Sequence, residues 1–336
     1  MNKKIIISSV VILIVVVVGF VWWKSTPPQP QTYAGPVEKV TVGSYVGEYV
    51  ALVYVADEKG YFKDEGIDLE IKPYQGGIFA IPDVLNGTID MALGNEFAPV
   101  VRSFDFPKIR ILASIDQTNS YELIARRDRG INTPADLRGK NIGIPKGSQS
   151  EFFLGTFLTF NKLSLKDVEV VYTKPFDLED AIVSGTVDAI LIWPPHSFNI
   201  TKKLGANGVA WGAQSGQDAY FVLIGSEDLV KKRPQVVERM LRALVKAEEF
   251  VKNNTSGAKM IVMRRTKTDE EYIKYVWPAN NFTISLNQAM VLTMEDEARW
   301  AVANKLTDKT MIPNYFKFIY FDALEKVKPE AITIIR

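Results

Sequence analysis

The sequence predicts an α/β fold in which two Rossmann-like lobes are joined by a hinge around a central cleft and follow an N-terminal transmembrane helix. Three observations predict it: a segment that occurs twice with small changes, alternating strand and helix patterns around both copies, and a long uncharged run near the N-terminus. The 336 residues carry 40 basic and 39 acidic side chains. A net charge so close to zero provides no field that would attract nucleic acid.

The uncharged run covers residues 5–23 and is rich in Ile and Val. At about 1.5 Å per residue, a helix of this length crosses the ~30 Å hydrocarbon core of a membrane. Lys3 and Lys4 precede it, which places the N-terminus in the cytoplasm and the rest of the chain outside. No small-x-small site follows the run directly, which favours a retained anchor, residues 1–24, over a cleaved signal peptide. The Pro-rich residues 25–36 are interpreted as an extended linker.

The duplicated segment reads NGTIDMAL at residues 86–93 and SGTVDAIL at residues 184–191. Around each copy, apolar patterns predict the order strand, helix, strand, helix, strand. The predicted strands are 40–43, 67–74, 91–93, 142–144, 168–172 and 189–192, and the predicted helices are 49–59, 78–86, 150–160 and 177–184. This order predicts two parallel sheets with right-handed crossovers, one in each half. Neither half carries a GxGxxG phosphate-binding signature.

The domain boundaries follow from the repeat. Lobe 1 is predicted to comprise residues 37–119 and 225–336, and lobe 2 residues 120–224. Ligands of parallel sheets bind beyond the carboxyl ends of the strands, so two lobes that face each other with these ends form a cleft. Because the chain passes between the lobes more than once, the connection predicts a hinge and capture of a ligand by closure.

Four segments resemble a known family when they are taken in order: GYFKDEGIDLEI at 60–71, LNGTIDMAL at 85–93, TPADLRGKNIGIPKGSQ at 133–149 and VSGTVDAILIWPP at 183–195. They are similar to the NMT1/THI5-like solute-binding proteins of ABC importers for nitrate, sulfonates, taurine and thiamin pyrimidine precursors. The resemblance implies a periplasmic-binding-protein type II fold, one small-molecule solute, and no catalysis, cofactor or metal. It also implies a monomer at the outer face of the cytoplasmic membrane that docks to an ABC permease with its ATPase. A solute-sensing surface domain that feeds no transporter is the alternative.

An enzyme on the same fold is disfavoured, because the chain has one histidine and no cysteine. That histidine, His196, is expected to be a loop residue with no metal-binding or catalytic role. The absence of cysteine also excludes disulfides and a lipid-modified cysteine anchor.

The loops after the predicted strands supply the candidate ligand contacts. These are Ser44, Tyr45, Glu48, Gln75, Asn95, Glu96, Gln117, Ser148, Gln149, Ser150, Trp193 and Asp218.

Residues 148–150 lie at the N-terminus of a predicted helix, where free backbone N–H groups and two serine hydroxyls would bind a polar or negative group of the ligand. The alternative is that these serines only cap the helix.

Tyr45 and Trp193 are suited to stack on a planar ring, unless they belong to the core. Glu48 and Glu96 follow predicted strands, and no arginine occurs at any strand end. A carboxylate in a closed cleft is costly unless it meets a hydrogen-bond donor or a positive charge of the ligand. This favours a nitrogen-containing ring such as a thiamin pyrimidine precursor over nitrate, a sulfonate or taurine. Either glutamate would instead point to solvent if it serves only at a helix start.

Overall fold

The computed structural model describes residues 33–335. The predicted anchor, residues 1–24, and most of the predicted linker lie outside this range. Chain contacts divide the protein into Met1–Gly35 and Pro36–Arg336, and the description below concerns the second unit. Within residues 33–335, no helix has the length and apolar character needed to cross a membrane.

The elements of this unit are short strands interleaved with helices. The strands are β1 (Glu38–Ser44), β2 (Ile67–Pro73), β3 (Met91–Asn95), β4 (Ile109–Thr118), β5 (Glu122–Arg126), β6 (Asn141–Ile144), β7 (Glu169–Tyr172), β8 (Ala189–Ile192), β9 (Gly208–Gly212), β10 (Ala219–Ser226) and β11 (Asn280–Asn281). The helices are α1 (Ala51–Glu58), α2 (Tyr61–Asp64), α3 (Gly77–Leu85), α4 (Phe97–Ser103), α5 (Gln149–Phe160), α6 (Leu178–Ser184), α7 (His196–Leu204), α8 (Glu227–Lys232), α9 (Pro234–Asn253), α10 (Thr255–Thr266), α11 (Glu270–Val276), α12 (Gln288–Ala303) and α13 (Asp322–Val327).

The strands form two separate sheets, as the repeat predicts. The first sheet has the order β11-β4-β10-β3-β1-β2, and the second has the order β7-β6-β8-β5-β9. In both sheets the first strand of the repeat lies between the second and the third and runs parallel to them. Each sheet has its own buried apolar cluster beneath the helices that cover it. The predicted two-lobed α/β architecture is therefore present.

The prediction of wholly parallel sheets is wrong for the strands that follow each crossing between the sheets. β5 is antiparallel to β8, and β10 is antiparallel to β3. The reason is geometric: β4 and β9 each end at the cleft, so the next strand must start there and run away from it. β10 begins at Ala219, so residues 219–224 belong to the first sheet and the chain returns before the predicted boundary at residue 224.

The duplicated segment makes equivalent contacts in both lobes. The Oδ2 atom of Asp90 accepts a hydrogen bond from the backbone N–H of Thr41 at 2.8 Å, and Oδ2 of Asp188 accepts one from Asn141 at 3.0 Å. Each aspartate thus fixes the third strand of its lobe beside the first. The glycine before each aspartate, Gly87 or Gly185, ends a helix in the left-handed region, which glycine adopts without steric cost.

The C-terminal helices mostly cover the first sheet. Tyr315 is fully buried in the core of this lobe. Trp300 of α12 instead packs edge-on against Phe152 of α5, with ring centroids 5.9 Å apart, and so contacts the second lobe. A Cβ placed on Gly155 of α5 would lie 2.7 Å from the Trp300 indole nitrogen, so this contact depends on glycine. The last helices therefore connect the two lobes on one side of the cleft.

Candidate functional site

A cavity of about 590 Å³ lies between the two sheets at the carboxyl ends of their parallel strands. Tyr45 follows β1, Gln75 follows β2 and Asn95 ends β3 on the side of the first lobe. Ser148 and Trp193 follow β6 and β8 on the side of the second lobe. The cavity occupies the place that the strand-end argument predicts.

Two glycines shape the wall contributed by the first lobe. A Cβ built on Gly77, the first residue of α3, would lie 2.5 Å from the Cα of Gly94 in β3. A Cβ on Gly94 would collide with Gly77 in turn. Only glycine at both positions lets the start of α3 pack directly against the end of β3, which leaves room for a ligand in front of them.

Among residues 33–335, aromatic side chains are the most frequent lining residues of the cavity. Ten of them line it: Tyr45, Tyr49, Phe79, Phe97, Tyr121, Tyr172, Phe176, Trp193, Tyr220 and Phe221. Those at the floor, such as Phe97, Tyr121 and Tyr220, are buried, whereas Phe79, Tyr172 and Phe176 at the mouth are exposed. Both lobes contribute to this wall, so closure of the lobes would enclose a ligand between rings.

Five of the twelve predicted contact residues line the cavity, namely Tyr45, Gln75, Asn95, Ser148 and Trp193. The other seven are not part of its wall: Ser44, Glu48, Glu96, Gln117, Gln149, Ser150 and Asp218. Ser148 caps α5, because its Oγ accepts a hydrogen bond from the backbone N–H of Ser150 at 3.3 Å. Its hydroxyl donates to the carbonyl oxygen of Pro145, so this residue follows the helix-capping interpretation.

Glu48 points neither to solvent nor into the cavity. Its carboxylate is buried and accepts a hydrogen bond from the Tyr272 hydroxyl of α11 at 2.6 Å. Burial raises the pKa of Glu48 to about 7, and its Oε1 has no hydrogen-bond partner. The sequence could not show this position, because Tyr272 comes from a helix more than 200 residues further along the chain.

Glu96 belongs to a buried link between the lobes. The side-chain amide of Gln149, at the start of α5, donates to Glu96 Oε1 at 3.0 Å and to Glu297 Oε1 at 2.7 Å. The backbone N–H of Tyr220 donates to the other oxygen of Glu96 at 2.9 Å. Burial raises the pKa of both glutamates. Gln149 and Glu96 were expected to contact the ligand, but here they contact each other because their side chains meet where the lobes join.

The four remaining candidates also lie outside the cavity wall. Gln117 at the end of β4 donates its side-chain amide to Asp218, just before β10, so the pair joins the two segments that pass between the lobes. The Ser44 hydroxyl donates to the carbonyl oxygen of Tyr45 at 2.8 Å. Ser150 is buried within α5 and its hydroxyl has no hydrogen-bond partner.

His196 lines the cavity, although the sequence suggested only a loop residue. It is the first residue of α7, and its ring makes edge contacts with Phe176 at 5.2 Å and Trp193 at 6.2 Å between centroids. Burial lowers the pKa of His196, so the ring is neutral at pH 7. Its Nε2 is buried without a hydrogen-bond partner. The position just after the strand-end residue Trp193 was the signal that could have identified it.

Within residues 33–335, charged side chains line the cavity only at its mouth. Lys146, Lys174 and Asp177 are the ionised side chains among its lining residues, and all three are exposed. The Nζ of Lys146 lies 5.3 Å from the ring centroid of Tyr172. No cluster of three or more His, Asp or Glu side chains suited to a metal ion occurs in the described part of the chain. The arrangement is suited to enclosing a solute by packing and hydrogen bonds.

The chain is similar in sequence to one protein family and to several named binding proteins. The profile of the family described as NMT1/THI5 like matches residues 48–258. A putative binding protein of Bacillus subtilis, YtlA, is 27% identical over 215 residues, which is 62% of this chain and 64% of that protein. The formylaminopyrimidine-binding protein of Halalkalibacterium halodurans is 26% identical over 74% of this chain and 76% of its own length. A putative aliphatic sulfonates-binding protein of Bacillus subtilis is 26% identical over 81% of this chain and 83% of its own length.

Solved structures share the fold at lower identity. The alkanesulfonate-binding protein SsuA from Xanthomonas axonopodis pv. citri, bound to MOPS, superposes with a TM-score of 0.73 at 16% identity, covering 85% of this chain and 99% of that one. The desulfurization enzyme DszB superposes with a TM-score of 0.63, also at 16% identity, covering 87% and 99%. The fold is thus shared by solute-binding proteins and by at least one enzyme.

Proposed function

This chain belongs to the NMT1/THI5-like family, and on that premise we propose that it captures a small organic solute outside the cytoplasmic membrane and delivers it to an ABC importer. The observation that carries the proposal is the cavity between the lobes. Its volume of about 590 Å³ falls in the range of small-molecule sites, and its walls come from two separately folded sheets. Two lobes joined by crossing segments release a solute when they move apart.

The proposed partners of this protein are the subunits of the importer. The permease and ATPase subunits receive the solute from the binding protein, which works as a monomer held at the outer membrane face by residues 1–24. Similarity to a sulfonates-binding relative supports capture of a solute, and the anchor stays a prediction from the uncharged run at residues 5–23. The chemistry of the cavity, which is neutral and aromatic at its floor, supports binding without catalysis.

For the ligand, a nitrogen-containing ring such as a thiamin pyrimidine precursor stays our preferred class. The sequence predicts this class from contacts with Glu48 and Glu96, and neither side chain lines the cavity. The support now comes from the aromatic wall and from the similarity to a formylaminopyrimidine-binding protein. Nitrate, a sulfonate or taurine is the alternative, supported by Lys146 and Lys174 at the mouth and by the sulfonate-binding relative.

A thermal-shift screen of the full chain tests the proposed function. The panel contains aminopyrimidines, alkanesulfonates, taurine and nitrate. A solute that binds the folded chain stabilises it by mass action, by about 2.7 kcal/mol at a concentration of 100 Kd, so the midpoint should rise by several degrees. Trp193→Ala should remove most of the shift, and Phe160→Ala, a change of an exposed ring outside the cavity, should leave it intact. A chain that no solute stabilises would contradict solute capture.

A further inference from the structure

Five asparagines of this chain are followed two positions later by serine or threonine, with no proline between them: Asn86, Asn199, Asn253, Asn254 and Asn281. This N-x-S/T sequence is the acceptor signal for attachment of a glycan to the asparagine side chain. With 16 asparagines, and with serine or threonine at 35 of 336 positions, about two such sequences would occur at random. All five asparagines are exposed. The chain therefore carries more accessible acceptor sequences than its composition requires.

Two of these asparagines hold a local turn or helix cap through the side-chain oxygen. Oδ1 of Asn86 accepts a hydrogen bond from the backbone N–H of Thr88 at 2.9 Å, and Oδ1 of Asn254 accepts one from Gly257 at 3.0 Å. A glycan is attached to the other atom, Nδ2, so the oxygen stays an acceptor after modification. Nδ2 of Asn86 also donates to Asp83 over 3.4 Å, and a modified nitrogen keeps one proton for this long contact. Both side chains can therefore carry a glycan without loss of their structural hydrogen bonds.

Asn281 lies in β11, the edge strand of the first sheet. Its Oδ1 accepts a hydrogen bond at 3.2 Å from the hydroxyl of Thr283, the residue that completes the acceptor sequence. The neighbouring Asn280 is half-buried and uses its Nδ2 to donate to the carbonyl oxygen of Val276 at 2.7 Å. Of this pair, only Asn281 combines exposure with the acceptor sequence. A glycan there would also cover a sheet edge, whose unpaired backbone groups favour aggregation.

The other two acceptor sequences are less suitable in the folded chain. Asn199 lies inside α7, and the hydroxyl of Thr201, which completes its sequence, is buried. An enzyme that acts on the folded chain has no access to that hydroxyl. Asn253 is the last residue of α9 and is adjacent to Asn254, so a glycan on Asn254 excludes a second one beside it. Three acceptor positions remain.

These three positions, Asn86, Asn254 and Asn281, lie outside the cavity wall. Asn86 follows α3, whose first residue Gly77 lines the cavity. The helix has nine residues, so Asn86 lies roughly 13 Å from that end at about 1.5 Å per residue. A bulky, hydrated glycan at such a position leaves the entry of a solute free.

We propose that Asn86, Asn254 and Asn281 are sites of N-linked glycosylation. The donor is a saccharide joined through a phosphate or diphosphate to a membrane lipid. The amide nitrogen of asparagine forms a bond to the anomeric carbon, and the bond from this carbon to the phosphate oxygen breaks. The lipid phosphate leaves with the electron pair, and one amide proton passes to a base of the transferase. Because the transfer takes place outside the cytoplasmic membrane, this proposal rests on the proposed location of the chain.

Mass spectrometry of the full chain, purified from the membranes of its source organism, tests the proposal. Fragmentation of its peptides should locate glycans at Asn86, Asn254 and Asn281. Each of the variants Asn86→Gln, Asn254→Gln and Asn281→Gln, made in the same organism, should lose about a third of the excess in intact mass. Asn132→Gln changes an exposed asparagine that has Pro134 two positions later, and it should lose none.

Variants of Thr283 distinguish glycosylation from other changes at the Asn281 amide. Thr283→Ala removes the hydroxyl that the acceptor signal requires, so the glycan at Asn281 should be lost completely. Thr283→Ser keeps the hydroxyl and should keep the glycan. Deamidation does not require that hydroxyl and would not follow this pattern. The melting midpoint shows whether each variant is folded.

The outcomes separate this proposal from the proposed function. Unmodified peptides at all three asparagines overturn it, and glycans at Asn199 or Asn253 instead overturn the choice of sites. Protease treatment of intact cells tests the location. A chain that is cleaved from outside and carries no glycan leaves the proposed location in place, whereas a chain protected inside the cell overturns both. The thermal-shift screen tests solute capture independently, because the three asparagines lie outside the cavity wall.

Discussion

At the scale of single residues, the buried carboxyl of Glu48 makes stability depend on pH. Burial raises its pKa to about 7 in the folded chain, above the usual value of about 4.3. Between these two values the folded chain holds a proton that the unfolded chain releases, so the free energy of unfolding decreases as pH rises from about 4.3 to about 7. The loss attributable to Glu48 is on the order of 2 to 3 kcal/mol. Glu48→Gln should flatten this decrease, which urea unfolding at pH 5.5 and pH 8.5 measures.

Other buried carboxyls retain part of the decrease in this variant. Burial also raises the pKa of Glu96, Asp116 and Glu297, and the sign of their contributions is the same. The comparison therefore uses the difference in slope between Glu48→Gln and Glu330→Gln, a change of an exposed side chain. Equal slopes in the two variants would show that Glu48 is not the buried acid described here.

The sequence predicts where the site lies, but it does not predict in which direction the individual side chains point. Tyr45 and Glu48 follow the same strand, yet Tyr45 lines the cavity and Glu48 turns inward to Tyr272. Gln149 lies at a helix start, as the sequence predicts, but its side chain does not line the cavity, and its partners Glu96 and Glu297 come from the other lobe. A loop position predicts proximity to the strand ends, whereas direction depends on partners that are distant in the chain. His196 was missed for the same reason.

At the scale of elements, the duplicated aspartates should make unequal contributions to stability. Asp188 accepts a hydrogen bond from the backbone of Asn141, and its nearest cation, Arg129, is 3.9 Å away. Asp90 accepts the equivalent bond from Thr41 and also pairs closely with Arg233. Asp188→Ala should therefore cost about 1 to 2 kcal/mol, and Asp90→Ala should cost more. Chemical denaturation of both variants gives the two values.

Asp308→Ala is the matched control for these changes, because its side chain is 88% exposed and should cost less than 0.5 kcal/mol, roughly the limit for surface substitutions. A larger loss in Asp188→Ala than in Asp90→Ala would contradict the pairing described.

The repeat also explains why the elements were predicted well: each copy combines a glycine that ends a helix with an aspartate that fixes a strand, and both effects are local. The antiparallel strands were not predicted because their direction depends on where the chain crosses between lobes.

At the scale of the whole molecule, the contacts between the lobes lie on two sides of the cavity. On one side Phe198 of α7 contacts Tyr272 and Tyr275 of α11, with ring centroids 5.4 and 5.1 Å apart. On the other side α5 contacts α12 through Phe152 and Trp300. The mouth, by contrast, is bordered by the exposed rings Phe79 and Phe176 from opposite lobes. Movement of the lobes about the crossing segments would change the distance across the mouth most.

Spin or fluorescent labels at the repeated positions Asn86 and Ser184 can measure this movement. The chain has no cysteine, so Asn86→Cys with Ser184→Cys gives one labelled pair, and both side chains are exposed at the ends of equivalent helices in opposite lobes. We expect a solute that raises the melting midpoint to shorten the distance between the labels, because ring contacts from both lobes are satisfied only when the lobes approach each other. The pair Asn86→Cys with Glu330→Cys, both on the first lobe, should keep its distance. A solute that stabilises the chain while leaving both distances unchanged would mean that the cavity is filled without movement of the lobes, and the hinge would then have no part in capture.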